Sequence, residues 1–209
     1  ADLSRMSTRL SAEEMIEQVR VALEYVEAGG SDFLGEFQDR PLITVSFAGM
    51  GEPSKRKEEI IEAIQGIRDG FQDRYSIQFI VSTLVSSPAA LKAFAQIDPP
   101  IQSLQVSLHG PDDATRHQLL HAPTKVGKVM QVVDDFHNRS PQTEIKINYL
   151  LIRGENDDPQ AARALARLLG DRPYYVKVSY LNETVASERA GLARPSTERR
   201  GDFLRALRD

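Results

Sequence analysis

The 209-residue chain contains no cysteine. That excludes disulfides, thiolate metal sites and thiol nucleophiles together. Long apolar runs are missing as well: no stretch approaches the ~20 residues that a membrane-spanning helix needs. The segment Ala1 to Arg9 lacks the charged-then-apolar layout of a secretory signal, so a cytoplasmic location without membrane contact is expected. Positive charge is not in excess either. Lys and Arg number 26 against 30 Asp and Glu, for a formal net charge of -4. Phosphate neutralisation supplies most nucleic-acid affinity, so the chain by itself should grip RNA weakly. With 41% hydrophobic residues it is long enough to bury a core, and residues 1–209 read as a single domain.

What is present is an alternation of helix and strand signals. Ser11-Ala12-Glu13-Glu14 reads as a capping box, followed by apolar residues at helical spacing from Met15 to Val26 and a Gly29-Gly30 stop. Strands are expected at Leu42–Phe47, Ser76–Ser82, Ser103–Leu108, Glu144–Leu151 and Tyr174–Tyr180. Helical patterns separate them: one bearing Ile60, Ile61, Ile64 and Ile67, one capped by Ser87 with Pro88 first, two near Asp113–Leu120 and Lys128–Asn138, and Asp158–Leu169. A last helix is expected near Ser196–Leu207, after a loop from Asn182 to Ser196 long enough to be functional.

Each strand divides into an apolar and a polar face. Ile43, Val45 and Phe47 oppose Thr44 and Ser46; Leu104 and Val106 oppose Ser103, Gln105 and Ser107; Ile145, Ile147 and Tyr149 oppose Glu144, Lys146 and Asn148. A closed barrel fills its interior with aliphatic layers, and a doubly wound sheet is apolar on both faces. One polar face in strand after strand points instead to an open, partial barrel with a wet concave side. The alternative, a sheet face left to solvent, is rare for parallel sheets. The first strand would form an unprotected edge, so a further strand is expected upstream.

The turn Phe47-Ala48-Gly49-Met50-Gly51-Glu52-Pro53 resembles the G-M-G-E-P signature of the radical SAM methyltransferases that act on an adenine ring carbon of RNA (the RlmN/Cfr type). Further motifs follow in the family's order: Val81-Ser82-Thr83; Val106-Ser107-Leu108-His109 with Pro111, Asp112 and Arg116; Gly154-Glu155-Asn156-Asp157; and Tyr180-Leu181-Asn182. The resemblance implies a partial (β/α)6 TIM-like open barrel lacking its first strand, and S-adenosylmethionine as cofactor. It places that cofactor on Gly49, Gly51, Glu52, Ser82, Ser107, His109 and Asn182. Glycines permit close backbone approach, and strand-end carbonyls with the Glu52 carboxylate suit an ammonium group. Taken singly, each has a plainer reading: a strand-to-helix turn for the glycines, polar lining for the serines, a hydrogen-bonded structural residue for His109, a turn residue for Asn182.

The chain also departs from the family. The resemblance implies a 4Fe-4S cluster on three cysteines, a methyl-carrying cysteine and a resolving cysteine, and this chain has none. Truncation at both ends is the expected explanation, with the cluster held by the parent protein. In that parent the resemblance implies reductive cleavage of the cofactor and methyl transfer to adenine C2 or C8 of rRNA or tRNA, with RNA as partner. Ser54-Lys55-Arg56-Lys57, Leu84-Val85, His121 to Thr124 and Glu183 differ from the family, which makes RNA less secure than the cofactor. The Lys55 to Lys57 run reads as a solvated helix start before it reads as a phosphate contact. Three other functions stay open: a cluster-less non-catalytic ligand-binding module, a different radical SAM activity on a non-RNA substrate, and a lyase using Lys146 or Lys177 as a Schiff base.

Overall fold

The computed structural model describes residues 9–30, 40–48 and 51–208. Residues 1–8, on which most of the N-terminal signal reading rests, and Gly49 and Met50 of the first motif lie outside the described residues.

Helix α1 (Ala12–Tyr25) starts on the expected capping box: the Ser11 hydroxyl accepts from the Glu14 amide and the Glu14 carboxylate accepts from the Ser11 amide. A π-helical turn (Val26–Gly30) ends it, with Gly29 at φ 81°. Then come β1 (Leu42–Phe47), a 3-10 turn (Pro53–Lys55), α2 (Lys57–Phe71), β2 (Ser76–Thr83), α3 (Pro88–Phe94) and β3 (Ser103–Ser107). After these follow α4 (Asp113–Leu120), α5 (Val126–Arg139), β4 (Glu144–Leu151), α6 (Pro159–Leu169), β5 (Tyr175–Tyr180), α7 (Val185–Arg189) and α8 (Thr197–Arg208).

The five strands form one parallel sheet in the order β1-β2-β3-β4-β5. Right-handed crossovers between strands that never reverse order put every connecting helix on the same side. The burial pattern agrees. On the apolar face Phe79, Val81, Leu104, Val106, Ile145, Ile147, Tyr149 and Leu151 are all buried. They pack in one core with Ile64 and Ile67 of α2, Leu91 and Phe94 of α3, Val133 and Phe136 of α5, Leu165 of α6 and Phe203 of α8. Each such side chain contributes about 1.5–3 kcal/mol by leaving water. The opposite face, with Gln78, Ser82, Gln105, Ser107, Lys146 and Asn148, is only half-buried. It is therefore the concave side that the alternation predicts. Strands β1 and β5 form the sheet edges among the described residues.

Two local expectations change. The Asn182–Ser196 connection is not all loop, because a Thr184/Ser187 capping box starts the five-residue helix α7 within it. Ser87 precedes α3 but its hydroxyl makes no capping bond; its amide donates instead to the Ser54 hydroxyl at 3.0 Å.

Candidate functional site

All five strands are parallel, so their carboxyl ends share one side of the sheet, where α/β folds place ligands. The candidate residues stand along this rim. Gly51 and Glu52 follow β1, Ser82 is in the last turn of β2, Ser107 ends β3 with His109 just beyond, and Asn182 follows β5.

Glu52 is the most heavily engaged of them. Gly51 at φ 104° takes a backbone conformation that side chains rarely adopt and delivers Glu52 as the cap of the 3-10 turn. One carboxylate oxygen accepts from the Ser54 amide at 3.0 Å and from the hydroxyls of Ser54 and Thr83. The other accepts from the Leu84 amide at 2.8 Å. An ionised carboxylate has about four lone-pair sites, so little of Glu52 is left for a cofactor amine. Its side chain instead knits the loop after β1 to the end of β2. Thr83 carries the tie onward: its hydroxyl also accepts from the amide of Val85, at 2.8 Å, where the chain turns with φ 56°.

Arg116 of α4 reaches the same place. It is 1% exposed and donates to the Leu84 carbonyl, while its Nε and Nη1 are buried without a partner among the described residues. Burial pulls the guanidinium below the usual arginine range, and the carboxylates of Glu52 and Asp113 oppose that. Gly110 makes this approach possible: a Cβ there would stand 2.6 Å from the Arg116 amide nitrogen.

His109 is held in the left-handed region at φ 57°. Burial, with the nearby charge of Arg116 adding to it, brings its imidazole down to about pKa 4, while the Asn148 carbonyl, which would accept from the protonated ring, opposes that. It is therefore neutral at pH 7. Ser82 and Ser107 are half-buried on the concave face and their hydroxyls make no hydrogen bond among the described residues. Register puts Ser82 in a row with Gln105, and Ser107 in the next row with Asn148, whose Oδ1 is buried and unpartnered among the described residues. Asn182 is exposed.

Away from the rim, a cleft of about 460 Å3 opens on the polar face, lined by Gln105, Glu144, Lys146, Tyr175, Val176 and Lys177. Glu144 and Tyr175 are the first residues of β4 and β5, so this cleft sits toward the opposite strand ends and contains none of the six described candidates. The rim is the better candidate, because the ordered motifs end there and it carries the free hydroxyls of Ser82 and Ser107. Within the cleft Lys146 is ion-paired with Glu144. An ammonium held against a carboxylate has no lone pair for attack, which weakens the Schiff-base alternative. Arg56 and Lys57 pair with Glu59 and Glu58 at the start of α2, as the solvated-helix reading of that run requires. Among the described residues no group of three His, Asp or Glu is arranged to hold a metal ion, and no helix is long and apolar enough to cross a membrane.

Thr83, Ser54 and Asn156 were not singled out for roles in the sequence. The signal available was their place inside the ordered motifs, since a small polar residue at a strand end becomes functional or structural only through partners distant in sequence.

A sequentially wound parallel sheet with helices on one side and a polar rim defines the class: an open, partial barrel of the TIM type. The crystal structure of a radical SAM methyltransferase from Sphaerobacter thermophilus superposes with a TM-score of 0.75 at 29% identity, over 97% of this chain and 56% of that one. Across this core the chain is a homologue of the RlmN-type dual-specificity RNA methyltransferases. It is 32% identical over 208 residues to a probable enzyme of that name from Opitutus terrae, covering 98% of this chain and 56% of the relative. It is 31% identical over 214 residues to one from Bifidobacterium adolescentis, covering 97% and 52%. The chain thus spans about half the length of the curated relatives it matches. No family model matches it.

Proposed function

We propose that this chain is a single S-adenosylmethionine-binding domain of a radical SAM methyltransferase that acts on an adenine ring carbon of rRNA or tRNA. The observation that carries the reading is the rim, where residues from five ordered motifs meet at one end of a sheet homologous to such enzymes. The donor set suits the cofactor. Free serine hydroxyls and exposed Asn182 suit its amino-acid and ribose oxygens, and main-chain carbonyls of the loop after β1 suit its ammonium group. Glu52 acts one step back from the ligand, by fixing that loop rather than by accepting the amine with its own carboxylate.

When bound, the cofactor supplies an electrophilic methyl group and, on one-electron reduction, a carbon radical. The chain's own part would be to orient that molecule, with His109 kept uncharged by burial at the rim. A 4Fe-4S cluster does not fit these 209 residues, which contain no thiolate; no step is assigned through it, and RNA chemistry requires ligands supplied by the whole protein. A second reading, a ligand-binding domain without redox chemistry, is favoured by the same missing thiolates.

Calorimetric titration with S-adenosylmethionine tests the shared core of both. Binding by the wild type, weakened at least tenfold in Ser107→Ala and Asn182→Ala, is expected. Absence of heat would reject the cofactor. Formation of 5′-deoxyadenosine by the whole protein after reconstitution with iron and sulfide separates the enzyme from the binding domain.

A further inference from the structure

The loop after β4 carries a motif, Gly154-Glu155-Asn156-Asp157, to which neither the cofactor nor the fold alone gives a purpose. Asn156 is 1% exposed, yet its side chain is saturated. Its Nδ2 donates to the His109 carbonyl at 2.6 Å and to the Leu150 carbonyl at 2.7 Å, and its Oδ1 accepts from the Ile152 amide at 2.8 Å. The Tyr149 hydroxyl, itself buried, donates to the Asn156 carbonyl at 3.2 Å.

These bonds repair a broken ladder. The Asn148 carbonyl still pairs with β3's chain, accepting from the Leu108 amide at 3.1 Å. Two residues on, Leu150 faces the same side, but His109 has turned away in its left-handed conformation. Leu150 therefore finds side chains in place of the backbone. Its carbonyl takes Asn156, and its amide lies 3.2 Å from Nδ1 of His109.

Nδ1 is also 3.0 Å from the Asn148 carbonyl. The two neighbours demand opposite tautomers, because one nitrogen cannot both give and receive. The Asn148 carbonyl already has the Leu108 amide as a donor, whereas the Leu150 amide, past the end of the β3 ladder, turns to Nδ1. A part-buried amide without an acceptor is the costlier loss, because the Asn148 carbonyl keeps its bond to the Leu108 amide in either tautomer. The lone pair therefore belongs on Nδ1 and the proton on Nε2.

We infer that Asn156 is a positioning residue: by clamping the His109 and Leu150 carbonyls it fixes His109 as an Nε2–H donor at the cofactor rim. This rests on the cofactor reading only for what the donor meets. An outward N–H suits an oxygen or ring nitrogen acceptor, such as a carboxylate, a ribose oxygen or an adenine nitrogen.

The test is long-range 1H–15N correlation of the histidine side chains in the 209-residue chain, together with cofactor titration of the same samples. Wild type should show His109 protonated at Nε2 alone at pH 7. Asn156→Ala should show averaged tautomers and bind S-adenosylmethionine at least tenfold more weakly, and Asn156→Ser, which keeps one donor, should fall between if the alanine variant does not fold. Arg199→Gln breaks a different bond of the same loop and should leave both readouts within twofold of wild type. A proton on Nδ1 in the wild type, an unchanged tautomer in both Asn156 variants, or an equal effect of Arg199→Gln would overturn the inference. Should the tautomer respond as stated while the wild type binds no S-adenosylmethionine, the positioning role stands and the cofactor reading falls.

Discussion

Replacing Glu52 by alanine should destabilise the chain by about 3 kcal/mol. Four donors converge on the carboxylate, and they differ in how they respond to its removal. The Ser54 and Thr83 hydroxyls can rotate toward other acceptors. The Ser54 and Leu84 amides cannot move without the backbone. Each loses a charge-assisted bond of about 1.5–3 kcal/mol, partly offset by water reaching a half-buried loop. For a chain of this size 1 kcal/mol corresponds to roughly 2–4 °C in Tm, so the midpoint should fall by about 6–12 °C. Glutamine is the informative comparison. Its amide oxygen can serve the three donors on one side while its NH2 faces the Leu84 amide, so about 1–1.5 kcal/mol should go. Urea unfolding followed by circular dichroism gives both values. A loss under about 0.5 kcal/mol for Glu52→Ala, within the range of an ordinary surface change, would refute the claim that this side chain holds the rim together.

Gly110→Ala should cost about 2–3 kcal/mol in the same assay, because its methyl would sit 2.6 Å from the Arg116 amide nitrogen and α4 must shift to admit it. Arg199→Gln removes two bonds, 2.9 and 2.8 Å, from the carboxylate of Asp157, which is 1% exposed; leaving that charge with the Gly154 amide as its remaining donor should cost about 2 kcal/mol by thermal melting, discounted because the arginine is half-exposed. The pH dependence has a defined sign. The His109 imidazole falls from about 6.5 in the unfolded chain to about 4 in the folded one, so below pH 6.5 the unfolded state binds the extra proton. Its contribution is complete above pH 6.5 and is lost as pH falls through about 4, up to about 3 kcal/mol. His109→Gln should flatten that part of the stability profile, and an unchanged slope between pH 6.5 and 4 would count against the burial of this ring.

The architecture was legible because the signals that set it are local. Period-two alternation in Leu42–Phe47 or Glu144–Leu151 reports both the strand and the face that helices cover, and Ser11 with Glu14 reports a helix start. Partners of the rim residues were not legible, because they lie far along the chain. Glu52 meets Thr83 across 31 positions, and Asn156 meets His109 across 47. Nothing near Glu52 in sequence says that its oxygens are already taken, so an ammonium ligand looked like a natural partner. Ser87 is the N-cap position as read, while its bond to the Ser54 hydroxyl joins residues 33 positions apart.

The ties at the strand ends run in series: Glu52 to Thr83 and Leu84, Leu84 to Arg116, and His109 to Asn156. No loop in this sequence can open without its neighbour giving up a bond. Amide hydrogens of the loops after β1 to β4 should consequently exchange with solvent as one cooperative unit, and this end of the sheet should melt as a collar, not one loop at a time.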